Sequence, residues 1–151
     1  MKPNSPTHYV DTSVFIEALT SPREDEGRAC SRYLARLGRI YQWVIGLPVF
    51  AEYMVFALDK KPELAADEVF LFFWRIYQDR NPVVILPEPS VYENAKLVKE
   101  IDPRLSLLDC LHLATAKGNA QIFVTIDKEI RLSQRLEKEL GIRVRHPSML
   151  L

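Results

Sequence analysis

The run His8-Tyr9-Val10-Asp11-Thr12-Ser13-Val14-Phe15-Ile16 reads as a short strand, His8–Asp11, that turns directly into a helix of about Thr12–Leu19, with an acid at the joint. The same arrangement returns late in the chain. Gln121–Thr125 reads as a strand, Lys128–Leu140 as a helix, and Asp127 stands between them. Strands and helices alternate from one unit to the other. A helix Glu24–Leu37 closed by Gly38 precedes a strand Tyr41–Ile45; a helix from Pro48 to about Leu58 and another from Pro62 to about Asp79 precede a strand Val83–Leu86. Helices Ser90–Ile101 and Ser106–Lys117 follow, and a last strand, Ile142–Arg145, comes after Gly141. This alternation implies right-handed crossovers and a three-layer α/β/α sandwich around a mostly parallel sheet. In such sheets chemistry gathers at the carboxyl ends of the strands, near a topological switch point.

The composition sets limits on function. The 151 residues suit one domain, 1–151, with one well-buried core, and the 48% hydrophobic and 26% charged content is that of a globular chain. Twenty Lys and Arg balance twenty Asp and Glu, so net charge neither supports nor excludes a nucleic-acid substrate, which needs only a local basic patch. Cys30 and Cys110 form no paired motif, which argues against a disulfide framework or a zinc cluster and for reduced core thiols. The N-terminus carries no apolar run of signal-peptide length, and the most apolar run, Val69–Trp74, is too short to span a membrane. The expected location is therefore the cytoplasm.

Four acids stand where the topology directs attention. Asp11 and Asp127 follow strands and each has an N-cap explanation. Asp109 lies in Ser106-Leu107-Leu108-Asp109, a Ser-x-x-acid pattern that capping also explains. Glu52 has the weakest local explanation: it lies one turn inside its helix, and its i+3 and i+4 neighbours, Val55 and Phe56, offer no cation. A lone acid among apolar neighbours is costly unless it is paired or metal-bound. Together the four can converge at one end of the sheet. Anions about 4 Å apart repel by about 4 kcal/mol per pair at the effective dielectric of a protein surface, so the set calls for a divalent cation. Oxygen ligands favour Mg2+ or Mn2+ over Zn2+.

The segments Tyr9-Val10-Asp11-Thr12-Ser13, Ala51-Glu52, Leu108-Asp109-Cys110-Leu111-His112-Leu113-Ala114-Thr115-Ala116 and Val124-Thr125-Ile126-Asp127-Lys128 resemble, in order and spacing, the PIN-domain family, in particular its VapC-type toxins. The resemblance covers essentially the whole chain. It implies an endoribonuclease that hydrolyses RNA with Mg2+ or Mn2+, homodimerises, and is blocked by a small antitoxin. It assigns the acidic site to Asp11, Glu52, Asp109 and Asp127, with the Ser13 and Thr125 hydroxyls supporting the carboxylates. Ile126 departs from the polar or basic residue many relatives carry there, which puts a substrate contact in doubt but not the metal site.

Other residues are open to two readings. His112, one turn beyond Asp109, is a packing histidine or an extra ligand or base; Glu17 is a rim or solvated acid. Lys117, Lys128, Arg131 and Arg135 form a solvated face or line a phosphate groove. The segment Val69–Tyr77, apolar nearly all round, is core or partner surface. A phosphatase of the Asp-x-Asp kind is disfavoured by Ser13 at the second position, and a receiver domain by the lack of an acidic pair. A non-catalytic PIN-like RNA-binding or scaffold module and a non-toxin RNA-processing nuclease remain alternatives.

Overall fold

Thr7–Val10 (β1) is a four-residue strand, and from Tyr9 on it is fully shielded from solvent. A strand buried on both faces must be central and covered on both sides, and β1 is. The computed structural model describes residues 5–59 and 65–151. In chain order the further elements are Thr12–Thr20 (α1), Asp25–Leu34 (α2), Gln42–Gly46 (β2), Leu47–Leu58 (α3), Ala66–Arg80 (α4), Val83–Ile85 (β3) and Pro89–Ile101 (α5). Leu107–Ala116 (α6), Ile122–Val124 (β4), Lys128–Arg131 (α7), Gln134–Leu140 (α8), Arg143–Arg145 (β5) and a terminal 3-10 turn, Pro147–Leu150, complete it. The strands form one sheet in the order β3-β2-β1-β4-β5, and every pairing is parallel. With helices on both faces this is a three-layer α/β/α fold, as the alternation of elements implies.

The strand order fixes the site. The chain leaves β1 toward β2 and β3, then crosses back to place β4 on the other side of β1. The switch point therefore lies between the carboxyl ends of β1 and β4, where the loops part and leave a crevice. The register pairs Val10 with Val124, and the Asp11 N–H continues the ladder to the Val124 carbonyl at 2.9 Å. Asp11 and Thr125 are thus brought side by side by the sheet.

Several elements differ from their sequence expectation, each for a local reason. The helix expected over Lys128–Leu140 is two, because Ser133 caps a new start by accepting a hydrogen bond from the Leu136 N–H at 3.4 Å. The helix expected to reach Leu37 ends at Leu34; Gly38, at φ +68, turns the chain back so that Leu37 bridges Tyr41. Pro62, expected to open a helix, lies outside the described residues, and α4 is described from Ala66. It ends on Asn81 in the left-handed conformation, just before Pro82. Among the described residues no helix is long and apolar enough to cross a membrane.

His8 sits at the base of this sheet, wholly buried. Its Nδ1 is 2.9 Å from the Tyr33 hydroxyl, its ring stacks 4.3 Å from Tyr41, and among the described residues Nε2 has no hydrogen-bond partner. Burial, aided by the Arg143 charge, lowers its pKa to about 4. The unfolded chain binds this proton near pH 6.5, so the neutral ring contributes its full stability above 6.5 and loses it as the pH falls toward about 4. At about 1.4 kcal/mol per unit this amounts to about 3 kcal/mol. Thermal melts between pH 7 and 4 should therefore show a smaller acid-induced fall for His8→Phe than for the wild type; parallel curves would contradict the assignment.

Candidate metal centre

Asp11 leaves β1 at the N-cap position of α1, yet its side chain makes no capping bond. Its Oδ2 instead accepts hydrogen bonds from the Ser13 and Thr125 hydroxyls, both at 2.7 Å. Ser13 is two residues on in α1 and Thr125 is delivered across the sheet, so one oxygen is fixed from two elements and Oδ1 is left free of them. Thr125 also accepts the Asp127 N–H at 3.0 Å, and Ser13 lies 3.3 Å from the Thr125 hydroxyl. Asp11 is almost wholly buried. Burial pushes its carboxyl up, reinforced by the Glu52 charge, although His112 and the two hydroxyls favour the ionised form.

Glu52 arrives from the second turn of α3, which follows β2 without a loop because Pro48 suits a first helical turn. Its Oε1 is 3.2 Å from His112 Nε2. The same nitrogen is 3.7 Å from Asp11 Oδ1. Burial opposes ionisation of Glu52, but the hydrogen bonds of His112 and Thr12 and the His112 charge outweigh it and hold its pKa below the ordinary value. The Thr12 hydroxyl is itself buried and, among the described residues, has no partner at normal hydrogen-bond distance.

His112 is fully buried in α6, its Nδ1 2.9 Å from the Tyr9 hydroxyl. Burial disfavours its charged form, but the Glu52 hydrogen bond and the Asp11, Glu52 and Asp109 charges raise its pKa. Tyr9 is pushed well above the ordinary phenol value by burial and by the Asp11 charge, so it remains protonated. One ligand atom each of Asp11, Glu52 and His112 lies within 4.8 Å of the others. Asp109 and Asp127 are outside that tight group. Asp109, in the first turn of α6, has its N–H capped by the Ser106 hydroxyl at 3.0 Å. Its own carboxyl is raised by burial, with the Asp11 and Asp127 charges adding to the rise against the Ser106 hydrogen bonds. Asp127 caps α7, Oδ1 accepting from the Glu129 N–H at 2.8 Å, which leaves one oxygen uncommitted.

The donor set fits a divalent cation. Burial first, and neighbouring carboxylates after it, raise both Asp11 and Asp109, and a nearby positive ion would favour their ionised forms. The sequence placed Asp11, Glu52, Asp109 and Asp127 near one another but offered no partner for Glu52. His112 is that partner, three residues after Asp109 and so on the same helix face, a spacing visible in the sequence. Tyr9, missed altogether, gave no signal beyond being an apolar strand residue.

The remaining candidates separate. Lys117 is at the far end of α6, 3.4 Å from Asn94, and Arg135 donates to the Ile101 carbonyl at 3.5 Å. Arg131 donates to the Ile126 carbonyl at 3.4 Å, next to Asp127, and Lys128 is exposed beside it. The Glu17 charge bears on Cys30 of α2, whose buried thiol is pushed up to about 12.

The sequence model of the PIN domain matches residues 8–135. No curated protein matches the chain. Among solved structures, VapBC2 from Rickettsia felis bound to a promoter DNA fragment is similar at 15% identity, with 93% of this chain and 98% of that one covered and a TM-score of 0.66. A toxin–antitoxin complex from Klebsiella pneumoniae shows 20% identity, 93% and 97% coverage and a TM-score of 0.61. VapC20 from Mycobacterium tuberculosis, described as a toxin cleaving the sarcin-ricin loop, shows 18% identity, 84% and 95% coverage and a TM-score of 0.62. Identities this low speak to the fold, and the fold agrees with the sequence match over most of the chain: this protein belongs to the PIN domain family.

Proposed function

We propose that this chain is a Mg2+- or Mn2+-dependent endoribonuclease, the toxin of a toxin–antitoxin pair, working in the cytoplasm. The observation that carries the reading is the convergence of Asp11 and Glu52 about His112 at the switch point, one ligand atom of each within 4.8 Å of the others, with Asp11 Oδ2 fixed by the Ser13 and Thr125 hydroxyls. The similar folds of proteins described as toxin–antitoxin complexes and as a loop-cleaving toxin support the substrate class and the partner.

Asp11, Glu52, Asp109 and Asp127 would hold the cation. When bound, it lowers the pKa of a water and offsets charge on the scissile phosphate. The chain supplies the rest. Ser13 and Thr125 hold Asp11 Oδ2, so that the carboxylate cannot swing when the cluster loses or gains charge. Asp127, anchored as a helix cap through Oδ1, keeps its second oxygen free of that bond. Arg131 and Lys128 bring positive charge beside Asp127, where an RNA backbone would pass.

A protein partner has a surface to cover. Of the apolar run in α4 only Val69 and Phe73 are buried; Phe70, Trp74 and Tyr77 stack in a partly exposed ladder at 6.0 and 5.1 Å centroid spacing. Alongside, α3 exposes Met54, Val55 and Leu58. Such a patch on a small protein marks an interaction site, and a small antitoxin is its proposed occupant. A second apolar groove of about 290 Å³, lined by Leu47, Ala51, Val91, Leu108 and Leu111 among others, suits pairing with a second copy.

Three outcomes test the reading. Asp11→Asn should abolish Mg2+- and Mn2+-dependent cleavage of a defined RNA panel, which EDTA should also stop. The variant should melt no lower than the wild type without metal, since a repelled buried charge has gone. Undiminished cleavage would refute the site, and metal-free RNA binding by the wild type with no cleavage would favour a non-catalytic module. Thr125→Val should lose about 1–2 kcal/mol of stability in denaturant titration. It should also weaken Mn2+ binding about tenfold by calorimetry, because Asp11 keeps only Ser13. Unchanged Mn2+ affinity would contradict its supporting role. In gel filtration the isolated chain should elute as a dimer at high concentration and Leu111→Glu as a monomer; a monomeric wild type would count against self-association.

A further inference from the structure

We infer that His112 is not a metal ligand but the hydrogen-bond donor that fixes the Glu52 carboxylate, its ring set in that role by the buried hydroxyl of Tyr9. The inference rests on the reading of the acids as a cation site, and it assigns a positioning pair that leaves the cation an all-oxygen shell.

Distance alone would admit His112 as a ligand, because its Nε2 belongs to the tight group with Asp11 and Glu52. The hydrogen accounting decides otherwise. A neutral imidazole has one N–H and one lone pair, and a metal can take only the lone pair. Nδ1 lies 2.9 Å from the Tyr9 hydroxyl, which has one hydrogen to give. The phenol hydrogen therefore has His112 Nδ1 as its acceptor, and no other acceptor for it is found among the described residues. An Nδ1 that accepts leaves the ring hydrogen on Nε2, aimed at Glu52 Oε1 at 3.2 Å with Asp11 Oδ1 beyond at 3.7 Å. Ligation would require the opposite arrangement, with Nδ1–H turned on the Tyr9 oxygen and the phenol hydrogen orphaned in the core, which burial penalises.

The packing holds the pair in place. Tyr9 and His112 are both fully buried, edge to face at 6.0 Å, and Tyr9 is stacked on Phe123 at 5.4 Å. Gly46 permits the approach of α6: a Cβ there would lie 2.5 Å from Thr115 Cγ2 and 3.3 Å from the Tyr9 hydroxyl. Neither side chain can turn without disturbing β1, β2 and α6 together. The consequence is chemical. With Oε1 occupied by His112, Oε2 would be the Glu52 oxygen left for a cation, and the protein donors there would all be carboxylate oxygens, a set suited to Mg2+ and Mn2+ rather than to Zn2+.

The wild-type protein tests this without a variant that could misfold. In 15N-labelled, metal-free protein, long-range 1H–15N correlation should report a protonated Nε2 for His112, unchanged when Mg2+ is added. In the Mn2+-loaded protein, electron spin-echo modulation should show no directly coordinated nitrogen. Tyr9→Phe should move the ring toward the Nδ1–H form and improve Zn2+ affinity relative to Mg2+ by about tenfold. An unprotonated Nε2 in the wild type, or a nitrogen bound to Mn2+, overturns the inference. Failure of Mn2+ to bind at all refutes the metal-site reading instead, and the ring measurement on the metal-free protein still decides the role of His112.

Discussion

A carboxylate buried at the end of a central strand is the constraint on which the rest of this structure turns. Asp11 is almost fully removed from water, and an ion in that position must be met by hydrogen bonds, opposite charge or both. Two hydroxyls on Oδ2 and His112 near Oδ1 meet it in part. Burial nevertheless prevails and its pKa stays raised. A cation beside it would favour the ionised carboxylate, which is the role proposed for this site.

The parallel sheet makes this arrangement achievable. Because the order β3-β2-β1-β4-β5 puts the switch point beside β1, Asp11 and Asp127 follow the two strands between which it lies. Glu52 and Asp109 are brought in by helices that begin near the same end, α3 directly after β2 and α6 with its capped first turn. Three of the four acids also sit at helix starts, where backbone N–H groups favour negative charge. Asp127 uses that favour through a direct capping bond and Asp11 does not, which frees Asp11 for its hydroxyl clamp. The apolar groove on α3 and α6 is lined by Ala51 and Leu108, the sequence neighbours of Glu52 and Asp109.

The fold was legible in the sequence because its signals are local and repeated. Short apolar runs punctuated by Pro and Gly marked the strands and the helices, and their alternation marked the parallel sheet. The misjudged boundaries are those where one residue decides. Ser133 restarts a helix that its apolar pattern would continue, and Gly38 bends a chain whose helix pattern runs three residues further. The site was legible as a set of acids but not as a network. Tyr9, His112 and Glu52 come from β1, α6 and α3, separated by 103 and 60 positions, and no local pattern ties them. Glu52 looked unexplained because the only partners a sequence offers to a helical acid lie three and four residues away. Its actual partner is reached through the fold.

The account stands on a divalent cation bound among carboxylates at the switch point. Anomalous diffraction from crystals soaked in Mn2+ tests that directly. A peak within coordination distance of Asp11 and at least one of Glu52, Asp109 and Asp127, with oxygen ligands only, is the result the account predicts. No peak at this end of the sheet while Mn2+ binds elsewhere on the protein would contradict it.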